Sequence, residues 1–264
     1  MKLGAVGSNC VDYYENLEGG KAFPGGGPVN MAVYARRLGA QSAYVGVVGD
    51  DPYGAMLRNA VAQKGVDVSR LRTLPGKTAV TQVRMEQGQR LLGDYDEGVL
   101  AQYRLTPEDL DFLESCDVVV CDLWGKVGGQ FGELQARGIP TAFDGADRPW
   151  DPDCQIALPH TDYLFFSTEE RDTPQLRQRM TEYGKLGPRL VTAMLGSQGS
   201  LCWDGNGFHP WGIVPCPELV DSLGAGDSYI AGFLVALGEG KTLEQAMEQG
   251  AHTATETLGY FGAW

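Results

Sequence analysis

The chain of 264 residues has no run of eighteen apolar residues, so nothing in it reads as a membrane-spanning helix. Positive charge is also scarce: 21 Lys and Arg stand against 34 Asp and Glu, a formal net charge of −13. That balance excludes a nucleic-acid backbone or an anionic membrane as an expected partner. The six cysteines are scattered without a CxxC pair, which argues against a zinc site or a disulfide framework. Buried free thiols in a reducing cytoplasm are the expectation. Only three histidines are present (His160, His209, His252), isolated from one another, and no Ser-His-Asp arrangement is visible. Two phosphate motifs are missing as well. Gly76-Lys77-Thr78 resembles the end of a Walker A loop, but the required glycine five residues earlier is Leu71. The first apolar run, Leu3-Gly4-Ala5-Val6-Gly7, is followed by no GxGxxG, and it is too short and glycine-rich for a secretory leader.

What is present is a rhythm of apolar strands and capped helices. Strands are expected at 2–7, 43–48, 117–122, 139–143, 161–166 and 189–194. A helix is expected over 29–38, and another from the N-cap Asp51, with Pro52 at its first position, to Gly65. Thr106-Pro107-Glu108-Asp109 reads as a capping box, and Thr242-Leu243-Glu244-Gln245 opens the last long helix. Such alternation implies one α/β domain whose mostly parallel sheet is covered on both faces. Ligands then bind outside the carboxyl ends of the strands. Residues 78–85 and 89–95 break the rhythm: they alternate as a hairpin about Gln87-Gly88, with no helix attached. With residues 10–24 they read as a small β appendage, and a second hairpin, 199–203 with 207–211, turns at Asp204-Gly205-Asn206-Gly207.

The most informative run is Asp221-Ser222-Leu223-Gly224-Ala225-Gly226-Asp227, followed by the apolar segment 229–237. If that segment is a helix, Gly224, Ala225 and Gly226 form its entry, with unpaired N–H groups and the positive end of the helix dipole. That is an anion site suited to phosphate. Asp227 in the first turn is a poor anion binder but a proton acceptor, so the pair points to phosphoryl transfer to an alcohol. The plain alternative is a tight Gly-Asp turn before a capped helix.

These pieces together resemble the ribokinase (PfkB-type) family of carbohydrate kinases over nearly the whole chain. The carriers are Asp221 to Asp227, the Gly25-Gly26-Gly27-Pro28-Val29-Asn30 stretch and the Gly49-Asp50-Asp51-Pro52-Tyr53-Gly54 turn. Other segments are similar to the branch that phosphorylates the 6-hydroxyl of an Amadori-type sugar–lysine adduct: Asn9 to Asp12, Gly93 to Val99, Trp124-Gly125, Thr141 to Asp144, and Gly262 to Trp264. The resemblance implies a ribokinase-like three-layer α/β sandwich spanning 1–264, with a small β lid formed by about 10–24 and 72–99. It also implies use of ATP and Mg²⁺.

Residue roles follow from the same resemblance. Asp227 matches the catalytic base, with Gly224, Ala225 and Gly226 as the anion hole. Asp12, Gly25, Gly26 and Asn30 match sugar contacts; Asp12 also reads as a turn residue and Asn30 as a helix cap. Asp94 and Glu97 read equally as an acidic pair for a substrate ammonium or as a solvated turn. Trp124 and Arg148 read as site lining, Trp124 equally as core packing. On the nucleotide side stand Ser167 (where the family has asparagine), Glu170 as an indirect, water-mediated Mg²⁺ residue, Gly196, Gly199 and Gly250. Asp221 corresponds to a position that holds a monovalent cation, K⁺, in some relatives. A homodimer through the lid is a further family expectation. The alternatives are a kinase for another sugar, sugar acid or nucleoside, and a binding protein without turnover on the same fold.

Overall fold

The computed structural model describes residues 1–17, 19–86 and 89–264; for 89, 90 and 92 it describes the backbone alone. The expected turn Gln87-Gly88 lies outside the described residues. Nine strands form the large sheet among the described residues: β1 (Lys2–Val6), β4 (Gln41–Gly49), β5 (Leu71–Leu74), β8 (Val118–Asp122), β9 (Thr141–Asp144), β10 (Tyr163–Ser167), β11 (Leu190–Met194), β12 (Ser200–Trp203) and β13 (Phe208–Trp211). Their order is β13-β12-β11-β10-β9-β8-β1-β4-β5. All neighbours from β11 to β5 are parallel, and β12 and β13 extend the sheet as an antiparallel hairpin.

The strands read as continuous apolar runs because both faces are buried. Along β8, Val118 and Val120 enter one core while Val119 and Cys121 enter the other. Helices α1 (Gly27–Arg37), α2 (Pro52–Gln63), α7 (Ala225–Gly238) and α8 (Leu243–Leu258) cover the first face, with Met31, Leu57, Phe233 and Met247 buried. Helices α3 (Pro107–Leu113), α4 (Phe131–Ala136), α5 (Pro152–Ala157) and α6 (Pro174–Gly184) cover the second, with Leu110, Phe131, Cys154 and Leu176 buried. Helix α7 is apolar almost all round, and Ser228 through Ala236 are buried between the sheet, α1 and α8. No helix among the described residues is long and apolar enough to cross a membrane.

The second sheet is β3-β2-β6-β7, built from β2 (Cys10–Tyr14), β3 (Lys21–Gly25), β6 (Val80–Glu86) and β7 (Gln89–Asp96). It starts later than the expected boundary at residue 72: Leu71–Leu74 pairs parallel with β4 and belongs to the large sheet. The run 75–79 carries the chain across. The Gly49–Gly54 turn fixes that crossing: Asp50 Oδ1 accepts from Gly76 N at 2.9 Å, and Asp51 accepts from Thr78 N at 2.9 Å and from Thr78 Oγ1 at 2.6 Å. Asp51 is also the N-cap of α2, accepting from Gly54 N at 2.8 Å. One carboxylate therefore starts a helix and anchors the root of the small sheet. Asp51→Ala should cost about 1–2 kcal/mol of stability, read as a lower urea midpoint at unchanged m-value; an unchanged midpoint would show that the brace is dispensable.

Candidate active site

Strand β1 is the pivot of the large sheet: the chain moves outward through β4 and β5 on one side and through β8 to β11 on the other. The crevice outside the carboxyl ends of β1 and β8 is therefore the expected ligand position. Acidic residues end two of the bordering strands, Asp122 on β8 and Asp144 on β9. The first turns of α1 and α7 reach the same crevice, and the small sheet brings Asp12 on β2 and Gly25 at the end of β3.

The centre of the site is a side-chain chain of two hydrogen bonds. Asn30 Nδ2 donates to Asp227 Oδ2 at 2.7 Å, and Trp264 Nε1 donates to Asn30 Oδ1 at 2.7 Å. Asn30 is not the cap of α1: Gly26 holds that position with φ 108°, where a Cβ would lie 2.6 Å from Asn9 Cα. Only glycine allows both the backbone conformation and the approach. Asp12 is a strand residue rather than a turn residue. It is buried, and its Oδ2 would lie 2.6 Å from a Cβ on Gly25. Asp122 is 2% exposed; one oxygen accepts from Ser8 Oγ and the other, Oδ1, has no hydrogen-bond partner. A Cβ on Gly27 would stand 3.1 Å from Asp122 Oδ2 and 3.2 Å from Asp227 Oδ1, so these two carboxylates flank one glycine.

Helix α7 begins where the sequence predicts, but its open amides are not the expected set, because the Ala225 N–H is paired. Gly224 is its N-cap in the left-handed region, φ 77° and ψ 1°, with no side-chain cap. The Ala225 N–H bonds Ser222 O at 3.3 Å, whereas the Gly226 and Asp227 N–H groups find no acceptor among the described residues. Two amides at the positive end of a fourteen-residue helix thus stand open beside the Asp227 carboxyl. A Cβ on Gly226 would lie 3.7 Å from Met194 Cε, which places this turn beside the end of β11. There, Gly196 is in the left-handed region with open space around it, while Gly199 is closed in by the Trp211 carbonyl. A cleft of about 250 Å³ adjoins them, lined by residues including Asp172, Leu195, Gln198 and Trp211. Ser167 pairs with Met194 across β10 and β11 and donates its N–H to Ala146 O at 2.6 Å.

The remaining expected residues, Trp124 and Arg148 apart, stand away from this centre. Glu97 is tied to Lys126 Nζ at 2.7 Å, and Asp94 lies exposed within β7, so they do not form a paired acidic reader. Glu170 is at the surface and ion-paired with Arg179 at 2.6 Å. Gly250 is a packing glycine: a Cβ there would be 3.0 Å from the Tyr229 ring, which seals α8 against α7. Asp221 accepts from Leu223 N at 3.1 Å and Gly262 N at 2.8 Å, so both of its oxygens brace backbone. Trp124 is 40% exposed and is not core; the Arg148 guanidinium lies 5.7 Å from its ring centroid, above the ends of β8 and β9. Sequence reasoning missed the roles of Asp122, Asp144, Ser8 and Trp264 in this geometry. An acid closing an apolar strand run, as in Val118-Val119-Val120-Cys121-Asp122, was the available signal for the first two.

Burial, ahead of the crowding of carboxyls, governs the electrostatics. Burial, ahead of repulsion from Asp12, pushes Asp227 up to about 6, with the Asn30 bond pulling the other way. Burial also raises Asp122 to about 7 against the Ser8 bond, with Asp227 adding repulsion. Asp144 is raised well above the ordinary range by burial and then by Asp227. Each of these groups holds its proton more tightly folded than unfolded, so stability is penalised as the pH climbs from the ordinary 3.8 to the folded value. For Asp122 the penalty is absent below pH 3.8 and complete above about 7. Asp122→Asn should therefore gain stability relative to the parent at pH 8 and not at pH 4, measured by chemical denaturation at both; an equal difference at the two would refute the raised value.

The model of the "pfkB family carbohydrate kinase" matches residues 6–264. Fructoselysine 6-kinase from Shigella flexneri and that from Escherichia coli K12 are each 44% identical over 264 residues, covering 99% of this chain and 99% of theirs. Fructosamine kinase FrlD from Bacillus subtilis is 32% identical, covering 100% of this chain and 93% of its own length. Among solved structures, Arabidopsis thaliana ribokinase complexed with ribose and ATP superposes with a TM-score of 0.90 at 24% identity, covering 99% of this chain and 94% of that one. That likeness establishes the ribokinase-like fold. By the match over nearly its full length, the chain belongs to the pfkB family of carbohydrate kinases, phosphotransferases that act on a sugar hydroxyl.

Proposed function

We propose that this kinase transfers the γ-phosphate of ATP to the 6-hydroxyl of fructoselysine or a closely related fructosamine in the cytoplasm, with Asp227 as general base. The carrying observation is the Asp227 carboxyl, held by Asn30 beside the open Gly226 and Asp227 amides. With its pKa near 6, Asp227 is ionised at neutral pH yet basic enough to share a proton with an attacking alcohol. Asn30 occupies Oδ2, which leaves Oδ1 for the acceptor hydroxyl. The acceptor oxygen bonds to the γ-phosphorus as the bond to the β-phosphate oxygen breaks; the hydroxyl proton passes to Asp227 and ADP departs. The amides of Gly226 and Asp227, at the dipole's positive end, stabilise the charge on the transferring group. Gly224 and Ala225 shape that turn.

The choice of substrate rests on the relatives' activity and on charge. Asp12 adds its charge beside Asp227, a setting that suits a protonated amine better than a neutral sugar. Gly25, Gly26 and Asn30 offer the close backbone approach and amide contact for hydroxyls. Trp124 and Arg148 at the mouth suit the carboxylate of an amino-acid adduct. On the nucleotide side Ser167, Gly196 and Gly199 would line the phosphates. Mg²⁺, when bound, would neutralise phosphate charge, and Glu170 would reach its water shell by exchanging its ion pair with Arg179. No group of three or more acidic, histidine or cysteine residues among the described ones is spaced to hold a metal ion, which fits a cation carried mainly by phosphates. Asp221 is given a bracing role, and no step is assigned to potassium. The small sheet would act as a lid, and its edge strands β3 and β7 are where a homodimer would pair.

Asp227→Ala should lower kcat by at least about 100-fold while calorimetric binding of fructoselysine persists; wild-type-like turnover would defeat the mechanism. In a panel with ATP, kcat/KM for fructoselysine should exceed that for ribose, fructose and adenosine, and its pH profile should fall below about pH 6 as Asp227 gains its proton. A neutral sugar outrunning the adduct would overturn the substrate assignment.

A further inference from the structure

We infer that Trp264 is a positioning residue for the reaction: its indole N–H fixes which end of the Asn30 amide faces Asp227. The inference rests on the reading of Asp227 as base. The two ends of an amide are nearly the same shape but opposite in chemistry, an acceptor oxygen and a donor NH₂. Asn30 is buried, so its orientation is decided by protein partners. Asp227, when ionised, accepts from either partner but donates to none. An indole N–H can only donate. With Trp264 Nε1 on Oδ1 at 2.7 Å, Nδ2 must point the other way, onto Asp227 Oδ2, also at 2.7 Å. The reversed amide would set carbonyl oxygen against carboxylate and NH₂ against indole N–H, two repulsive contacts in place of two bonds.

The segment that carries Trp264 is itself held firmly. Tyr34 Oη donates to Ala263 O at 2.6 Å, and Gly262 N donates to Asp221 Oδ2 at 2.8 Å. The Ala263 carbonyl lies against Gly224, where an added Cβ would meet it at 3.0 Å. Lys64, at the end of α2, places Nζ 5.4 Å from the Trp264 ring centroid. Trp264 is thus anchored to α1, to the start of the Asp221–Asp227 motif and to the α7 cap, which is the geometry a positioning element needs.

Losing the indole N–H frees the amide to present its oxygen to Asp227, which favours the protonated carboxyl. The charged and titratable groups around this pair are Asp12 on β2, Asp122 on β8 and Asp144 on β9, with Lys64 over the indole. All three acids stay in place when residue 264 changes. With ATP and fructoselysine, Trp264→Phe should move the acidic limb of kcat/KM upward by roughly half to one pH unit, with the KM for ATP unchanged. Trp264→His, which restores a ring N–H, should return the limb part of the way. In an Asn30→Ala background the same Phe substitution should shift nothing further. Should Trp264→Phe fold poorly by thermal melting, 3-benzothienylalanine at position 264 keeps the bicyclic shape, removes only the N–H, and should give the same shift. A limb that stays in place, or moves equally in the Asn30→Ala background, overturns the inference. Asp227→Ala separates the two readings: an inactive Asp227→Ala enzyme beside an unmoved Trp264→Phe limb sinks this inference alone, whereas an active one sinks the base assignment itself.

Discussion

The hydrogen bond from Asn30 to Asp227 joins the first turns of two helices over the carboxyl end of a parallel sheet, and the remaining features of the site are arranged around it. Asp227 is buried beside Asp12, whose charge opposes its ionisation, and beside Asp122 and Asp144, whose own protons burial and the Asp227 charge hold more tightly still. Unaided, such a carboxyl would hold its proton and lose its use as a base. A single amide donor offsets part of that pressure and orients the carboxylate in the same act. The balance leaves the group near 6, between an inert surface acid and a permanently protonated buried one.

The architecture makes this tension tolerable. Two apolar cores, one on each face of the sheet, supply the burial that holds acids at its edge. Local constraints fix each approach: Gly26 and Gly224, with backbone at positive φ, cap the two helices, and the Asp51 carboxylate ties the root of the small sheet to α2. The segment 260–264 closes the arrangement from behind. Its Phe261 ring also lies 5.7 Å from Phe23 and 6.0 Å from Tyr14, so one short stretch touches the small sheet, the glycine cap and the base-holding amide.

Much of this was legible in the residues because it is local. Alternating apolar runs, the capping box at Thr106, the helix start at Thr242 and the Asp51 cap each depend on neighbours within a few positions, and the structure has them where the sequence places them. The glycine entry to α7 was readable for the same reason. What depended on long-range contact was not. Asp122 and Asp144 are ordinary strand ends until the parallel order brings them beside Asp227. The Glu97 to Lys126 ion pair joins the end of the small sheet to the loop after β8 and engages a residue that the resemblance offered, on equal terms with a solvated turn, as a reader of an ammonium group. Gly250 looked like a nucleotide contact and is a packing contact, because helix-on-helix proximity has no signature in a single glycine. Residues 72–74 join the large sheet by pairing with β4, a partner more than twenty positions away.

The central claim is geometric and is tested most directly by a crystal structure of the chain with fructoselysine and a non-hydrolysable ATP analogue. The account places the sugar's primary hydroxyl within hydrogen-bond reach of the Asp227 carboxylate, with the analogue's terminal phosphate on the Gly226 and Asp227 amides in line behind it. A sugar whose acceptor hydroxyl faces away from Asp227, or a terminal phosphate seated away from those amides, would contradict it.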